Sequence, residues 1–173
     1  TGTPVTLEGS WTLKFLEGGP QLPPTQTLTT LRSWTEIAGE EGKNFSGTAL
    51  YTLSFKKLAD HTGNWLLNLG QLSATAEVRL NGKAIATLVG PSFETVIPAA
   101  ALQEENKLEI TVSNLMANRI AWMDRNDKPW KIFYNTNMPA RKKENVKNNL
   151  FYAGNWAPLA SGLMGPVTLT PLK

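Results

Sequence analysis

Few residues in this chain stand in company that suggests reaction chemistry. Of its fourteen carboxylates, only Asp124 and Asp127 lie among aromatic and basic neighbours. Glycoside hydrolysis needs two carboxyl groups on opposite sides of a bond, roughly 5–9.5 Å apart. Closeness in sequence does not fix that separation, and beside Arg125 and Lys128 the same pair can serve as surface ion-pair partners. Asp124, Asn126 and Asp127 are also oxygen donors, yet the Asp-x-Asp-x-Asp-Gly order of a calcium loop is missing, so no metal ligand is assigned. His61 is the single histidine and there is no cysteine. A histidine-rich metal centre, a thiolate site, a disulfide framework and a cysteine nucleophile are thereby excluded, and a Ser-His-Asp triad would have to use His61. No P-loop or GxGxxG occurs, so nucleotide chemistry has no support and no cofactor is expected.

A second set of residues suggests contact rather than reaction. Trp122, Trp130, Phe133, Tyr134, Phe151, Tyr152 and Trp156 all fall between Leu115 and Ala160. Sugar rings pack their C–H faces on aromatic planes, and their hydroxyls need Asn, Arg, Asp or Glu partners. Asn118, Arg119, Asn135 and Asn137 lie close by in sequence. The candidate ligand-binding residues are therefore Asn118, Arg119, Trp122, Arg125, Trp130 and Tyr134. A long loop also needs buried anchors, and the same rings would supply them.

The same stretch carries eight bases (Arg119, Arg125, Lys128, Lys131, Arg141, Lys142, Lys143, Lys147) against three acids, a local balance of +5. The rest of the chain holds nine bases and eleven acids. A basic segment on a slightly acidic body suits an anionic partner or a contact surface, and equally a solvated loop. Bases interleaved with aromatics also occur in nucleic-acid binders. The net charge of +3 is small, however, and no RNP, KH or zinc-knuckle motif appears, so no nucleic acid is expected as a partner. Asn44-Phe45-Ser46 fits the glycosylation acceptor pattern, which is common by chance.

The elements that must hold these residues read mostly as strands. Tyr51, Leu53 and Phe55 alternate with Thr52 and Ser54; Leu108, Ile110 and Val112 alternate with Glu109, Thr111 and Ser113; Ala76, Val78 and Leu80 flank Glu77 and Arg79. Period two marks strands with one face buried and one wet. Asn81-Gly82 then predicts a type I′ hairpin turn into Lys83–Leu88, because both residues accept positive φ. Trp11–Leu16, Asn64–Leu69, Phe93–Ile97 and Val167–Leu172 are further strand candidates. Pro20, Pro23 and Pro24 mark one loop, and Gly39, Gly42 and Gly47 bracket another. Pro98–Gln103 predicts one helical turn. Pro139–Leu150 offers a short basic helix that Asn148 and Asn149 weaken. About eight short strands with little helix predict an all-β, antiparallel sandwich, and no amphipathic helices alternate with them as a βαβ fold would require. The expectation is a single domain over residues 1–173, with a long irregular, basic and aromatic loop over 115–160 interrupting the pattern before the last strand.

Length and composition agree. The chain has 173 residues, 41% hydrophobic and 18% charged, with 14 Gly and 11 Pro to turn short strands. No apolar run approaches the roughly 20 residues of a membrane helix, so no membrane partner is expected. The first residue is Thr1 and nothing near it reads as a signal peptide, which suggests processing or a segment of a longer protein.

Phe45-Ser-Gly-Thr-Ala-Leu-Tyr-Thr-Leu-Ser-Phe55, preceded by Ser33-Trp34-Thr35, resembles an early strand of the sugar-binding-type domain of glycoside hydrolase family 2. Leu67-Asn-Leu-Gly70 and Ala76-Glu-Val-Arg-Leu-Asn-Gly-Lys83 resemble its strand and Asn-Gly turn, and Asn106-Lys-Leu-Glu-Ile-Thr-Val-Ser-Asn114 its closing strand. Asn118-Arg119 and Ser161-Gly-Leu-Met-Gly-Pro-Val167 are more similar to the C-terminal domain of family 106 α-L-rhamnosidases. The resemblance covers most of the chain from Trp11 onward. It implies a galactose-binding-like jelly roll that serves as an accessory module, with the catalytic acid and nucleophile or base in a separate barrel for which this chain is too short. No catalytic residue is carried over, and fold alone does not grant sugar binding.

The expected function is a non-catalytic, carbohydrate-associated module of a bacterial, periplasmic or extracellular polysaccharide-degrading glycoside hydrolase, of α-L-rhamnosidase type. Its expected partners are a glycan, acidic pectic polysaccharide above all, and the catalytic domain of the same parent chain. Two alternatives stand beside it: a domain that braces the catalytic barrel without binding sugar, and a small free-standing enzyme using Asp124 and Asp127.

Overall fold

Alternation in the sequence becomes alternation in burial. In the strand Ser46–Lys56, Ala49, Tyr51, Leu53 and Phe55 are buried while the residues between them are partly or fully exposed. The computed structural model describes residues 2–58, 62–132 and 142–172. His61 lies outside the described residues.

In chain order the first half contains β1 (Val5–Thr6), β2 (Trp11–Gly19), β3 (Gln26–Leu28), α1 (Trp34–Ile37), α2 (Gly39–Asn44) and β4 (Ser46–Lys56). Next come β5 (Trp65–Asn68), β6 (Gln71–Leu72), β7 (Thr75–Leu80), β8 (Lys83–Val89), β9 (Glu94–Ile97) and β10 (Glu105–Ser113). The remainder holds α3 (Ala117–Arg125), β11 (Val146–Lys147), β12 (Leu150–Phe151), β13 (Leu163–Gly165) and β14 (Thr168–Pro171).

A six-stranded sheet in the order β3-β2-β4-β10-β7-β8 faces a four-stranded sheet in the order β1-β14-β5-β9, and every pairing within the two is antiparallel. The register aligns the inward residues in rows: Ile110 lies opposite Tyr51 on one side and Val78 on the other, and Leu108 opposite Leu53 and Leu80. The second sheet answers with Trp65, Leu67, Ile97 and Leu169 in the same buried cluster. The fold is the predicted antiparallel β-sandwich, and all eight strand candidates are strands. Asn81 and Gly82 take φ values of 52° and 77° between Leu80 and Lys83, the backbone that a type I′ turn requires.

Three segments differ from the sequence reading. The glycine-bracketed stretch folds as α1 and α2, because the Ser33 hydroxyl accepts the Thr35 N–H at the helix start and Trp34 is drawn fully into the core. There Trp34 forms an edge-on triad with Phe15 and Phe45, with ring centroids 5.0–5.6 Å apart. Its indole N–H donates to the Tyr51 hydroxyl at 2.6 Å, and the same oxygen accepts the Leu163 N–H at 3.0 Å. Burial pushes the Tyr51 phenol well above its ordinary pKa, against the opposing effect of those two donors. Gly162, at φ +94°, lies under the same pair, and a Cβ there would collide with the Trp34 ring nitrogen.

The segment 115–160 is not irregular throughout. It contains α3, a 3-10 turn at Lys143–Asn145 and the β11–β12 hairpin. α3 escaped the hydrophobic pattern because its buried stripe is Asn118, Ala121 and Asp124, two of them polar. Over the described part of Pro139–Leu150, Asn148 and Asn149 stand at φ 53° and 62°. Both are left-handed, and they turn the chain between β11 and β12 instead of continuing a helix.

Candidate functional site

The C-terminal turn of α3 separates two clefts, and polar side chains fix each wall. Asp124 is 6% exposed and both of its oxygens accept hydrogen bonds. Oδ1 accepts the Trp130 indole N–H at 2.7 Å and the Lys131 ammonium at 2.8 Å, and Oδ2 accepts the Ala153 N–H at 2.6 Å. Burial alone would raise the Asp124 pKa, but the hydrogen bonds from Lys131, Ala153 and Trp130 and the Lys131 charge outweigh it and hold the carboxyl below its ordinary range. Trp130, Phe151 and Trp156 then stack edge to face in sequence, and Trp156 donates to Asn145 Oδ1 at 2.9 Å.

The first cleft, about 340 Å³ in volume, is walled by Asp124, Asp127, Lys128, Trp130, Lys131, Lys147, Asn148, Phe151 and Tyr152, with Pro129 and Leu150 at its sides. Lys131 Nζ sits 5.2 Å from the Trp130 ring centre, and Lys147 Nζ 4.9 Å from that of Tyr152. The second cleft, about 490 Å³, gathers Trp122, Arg125 and Asn126 from α3 and the residue after it, Glu40, Lys43 and Asn44 from α2, and Pro158. Arg125 reaches Asn44 Oδ1 at 2.7 Å and the Gly154 carbonyl at 3.2 Å.

The sequence candidates are thus divided. Trp122 and Arg125 share the second cleft, and Trp130 stands in the first. Asn118 is buried: its amide nitrogen donates to the Leu159 carbonyl and Ser161 hydroxyl, and its oxygen accepts the Leu159 N–H at 2.7 Å. Arg119 lays its guanidinium against Gly19 and 5.7 Å from the Trp122 ring centre, with Nη1 buried and lacking a hydrogen-bond partner among the described residues. Tyr134 lies outside the described residues. Lys128, Lys147 and Tyr152, counted among the bases and aromatics of the segment, were not among the six candidate ligand residues. The signal that would have found the last two is Asn148-Asn149, which as a turn folds Lys147 back toward Tyr152.

Chemically, the arrangement favours contact. Both Asp124 oxygens already accept hydrogen bonds from Trp130, Lys131 and Ala153. Among the described residues no group of three or more His, Asp or Glu could hold a metal ion. Trp130 and Tyr152 offer ring faces, three lysines offer positive charge, and Asp127 and Asn148 offer acceptors.

No family model matches the chain. A curated protein of Formosa agariphila named "Putative beta-glucuronidase" is 30% identical over 200 residues, which is 98% of this chain and 16% of that protein. A rhamnosidase from Novosphingobium sp. PP1Y superposes over 98% of this chain and 15% of its own, at 26% identity and a TM-score of 0.69. The fold is that of a glycoside-hydrolase accessory β-sandwich. A family 2 β-galacturonidase from Eisenbergiella tayi (18% identity, TM-score 0.50) and a β-D-glucuronidase from Dictyoglomus thermophilum (20%, 0.53) each match 65% of the chain with 20% of their own, and agree in fold. The accessory sandwich spans about one sixth of the length of the curated relative it matches. Among the described residues no helix is long and apolar enough to cross a membrane.

Proposed function

We propose that residues 1–173 form one domain of a larger bacterial glycoside hydrolase, contact glycan through segment 115–160 and perform no hydrolysis themselves. The observation that carries this reading is the pair of clefts flanking the end of α3, each presenting a tryptophan beside basic side chains. Aromatic faces with adjacent hydrogen-bonding groups are what pyranose rings require. The engagement of both Asp124 oxygens supports the absence of catalysis, since a general acid or nucleophile must reach the scissile bond. The rhamnosidase type draws support from the extent of the match, 98% of the chain against 65% for the family 2 structures. The preferred glycan is acidic, such as a pectic backbone in which rhamnose alternates with galacturonic acid, because the segment carries a +5 balance. The working environment is periplasmic or extracellular, and the catalytic domain of the parent chain is the covalent partner.

Titration with rhamnogalacturonan fragments and with neutral galactan, at low and high salt, tests the reading. Tighter binding of the acidic glycan that fades with salt is expected. Equal binding removes the electrostatic argument. Purified chain should not turn over aryl rhamnosides or galactosides, and turnover that Asp127→Asn abolishes, or that Asp124→Asn abolishes with the near-UV signal of the segment intact, would favour a free-standing enzyme instead. A second reading, a brace that binds no sugar, is favoured by Leu115, Met116 and Leu159, apolar residues that are 59%, 53% and 48% exposed beside α3. Absence of binding to either glycan would select it.

A further inference from the structure

We propose that the cleft between α3 and the β11–β12 turn holds the carboxylate of a single uronic-acid unit between Lys128 and Lys147. The inference rests on the glycan-contact reading and names the residues that take the acid. Of the three lysines on the cleft, Lys131 is committed to Asp124 at 2.8 Å. Neither Lys128 nor Lys147 makes an ion pair among the described residues. Lys147 leans instead on the Tyr152 ring, a weaker partner for an ammonium than a carboxylate is.

The remaining wall chooses among anions. Asp127 and Asn148 line the same space and can accept hydrogen bonds from hydroxyl groups, as a sugar supplies. Sulfate has no hydrogen to donate to Asp127 and is repelled by its charge. Two ammoniums, one carboxylate, one carboxamide and two ring faces therefore match a monoanionic ring that carries hydroxyls. The volume of about 340 Å³ lies at the small end of ligand sites, suited to one such unit. The second cleft suits the acid less: Glu40 lines it and pairs with its Lys43, and Arg125 already donates to Asn44 and Gly154. Arg119, with its guanidinium backed onto Gly19, does not line this cleft. The acid is thus taken by lysines, and the arginines that the sequence pointed to act elsewhere.

The test is calorimetric titration of the chain with oligogalacturonide, with neutral galactan oligosaccharide and with inorganic sulfate. Lys128→Gln/Lys147→Gln is compared with Lys142→Gln/Lys143→Gln, which removes the same charge from an exposed turn outside the cleft. The cleft pair should weaken oligogalacturonide binding by about tenfold or more and flatten its salt dependence, while galactan binding stays unchanged. The control pair should change it by less than about twofold. Equal losses from both pairs would overturn the site in favour of a diffuse positive field. Sulfate binding as tight as that of the oligogalacturonide would overturn the uronate assignment. Galactan bound as well as oligogalacturonide would sink this inference and leave the glycan reading intact, whereas no binding to either would sink the reading itself.

Discussion

Ile110 at the centre of the six-stranded sheet and Asp124 on α3 are both almost completely shielded from water, yet they hold the molecule in opposite ways. Ile110 packs by shape among Tyr51, Val78 and their neighbours, and any inward row of the sandwich resembles the next. Asp124 acts by three directed hydrogen bonds to Trp130, Lys131 and Ala153, and Asn118 does the same for Leu159. Apolar burial is distributed and non-directional, so no single strand residue defines the fold. A polar hub gathers several groups on one side chain, and losing it strands them all in a place where water cannot replace it. The sandwich should therefore fail as a whole, and the segment it carries should fail alone.

The largest effect is expected from Ile110→Ala. A cavity in the centre of the core costs about 2–5 kcal/mol, and far-UV and near-UV thermal melts should shift down together. If the aromatic signal of the 115–160 segment survived the loss of the sheet, the dependence of the segment on the sandwich would be disproved.

Asp124→Asn should cost about 1–3 kcal/mol. That is less than a fully buried pair would lose, because the Lys131 side chain is still 21% exposed. The loss should be local: near-UV signals of Trp130 and Trp156 and amide protection of Ala153 collapse, while the sheet melt barely moves. Acid should imitate this change. The folded-state pKa of Asp124 is depressed, so its contribution is complete above the ordinary carboxylate value of 3.8 and is lost as pH falls through the lower folded value. A Trp130 fluorescence transition below pH 3.8, absent from Asp124→Asn, is the expected result. Coincident loss of far-UV signal would merge the two regions into one cooperative unit.

Arg125→Ala should do least. Arg125 is exposed, and its links to Asn44 and Gly154 contribute about 0–1 kcal/mol. A larger drop in the melt would mean that the second cleft is part of the structural frame.

This division also explains what could be read from residues alone. Tyr51, Leu53, Phe55, Leu108, Ile110 and Val112 announce their face because burial of apolar groups leaves a period in the sequence. The Asn81-Gly82 turn is equally legible, since few residue pairs accept two positive φ values. α3 leaves no such trace: Asn118 and Asp124 are buried for their partners, and Leu159 and Ala153 lie far along the chain. Lys147 and Tyr152 meet across the local Asn148-Asn149 turn, but Lys128 joins them only where the end of α3 faces that turn, a long-range fact with no local signature. Trp122 and Trp130, both named as candidates, face different clefts for the same reason.

The Asn114 side-chain amide donates to the Ser161 hydroxyl at 2.9 Å, and both residues remain tied to the sandwich, Asn114 through Gly47 and Ser161 through Trp34. The chain thus departs and returns at one doorway. Loop-closure cost grows slowly, about 0.6 kcal/mol per doubling of length, so excursions of many lengths can hang from that doorway with no demand on strand order. The segment 115–160 can therefore change length or content at small entropic cost while the strand pairing beneath it is kept. For the engineer, the same clasp marks where a foreign binding loop can be grafted.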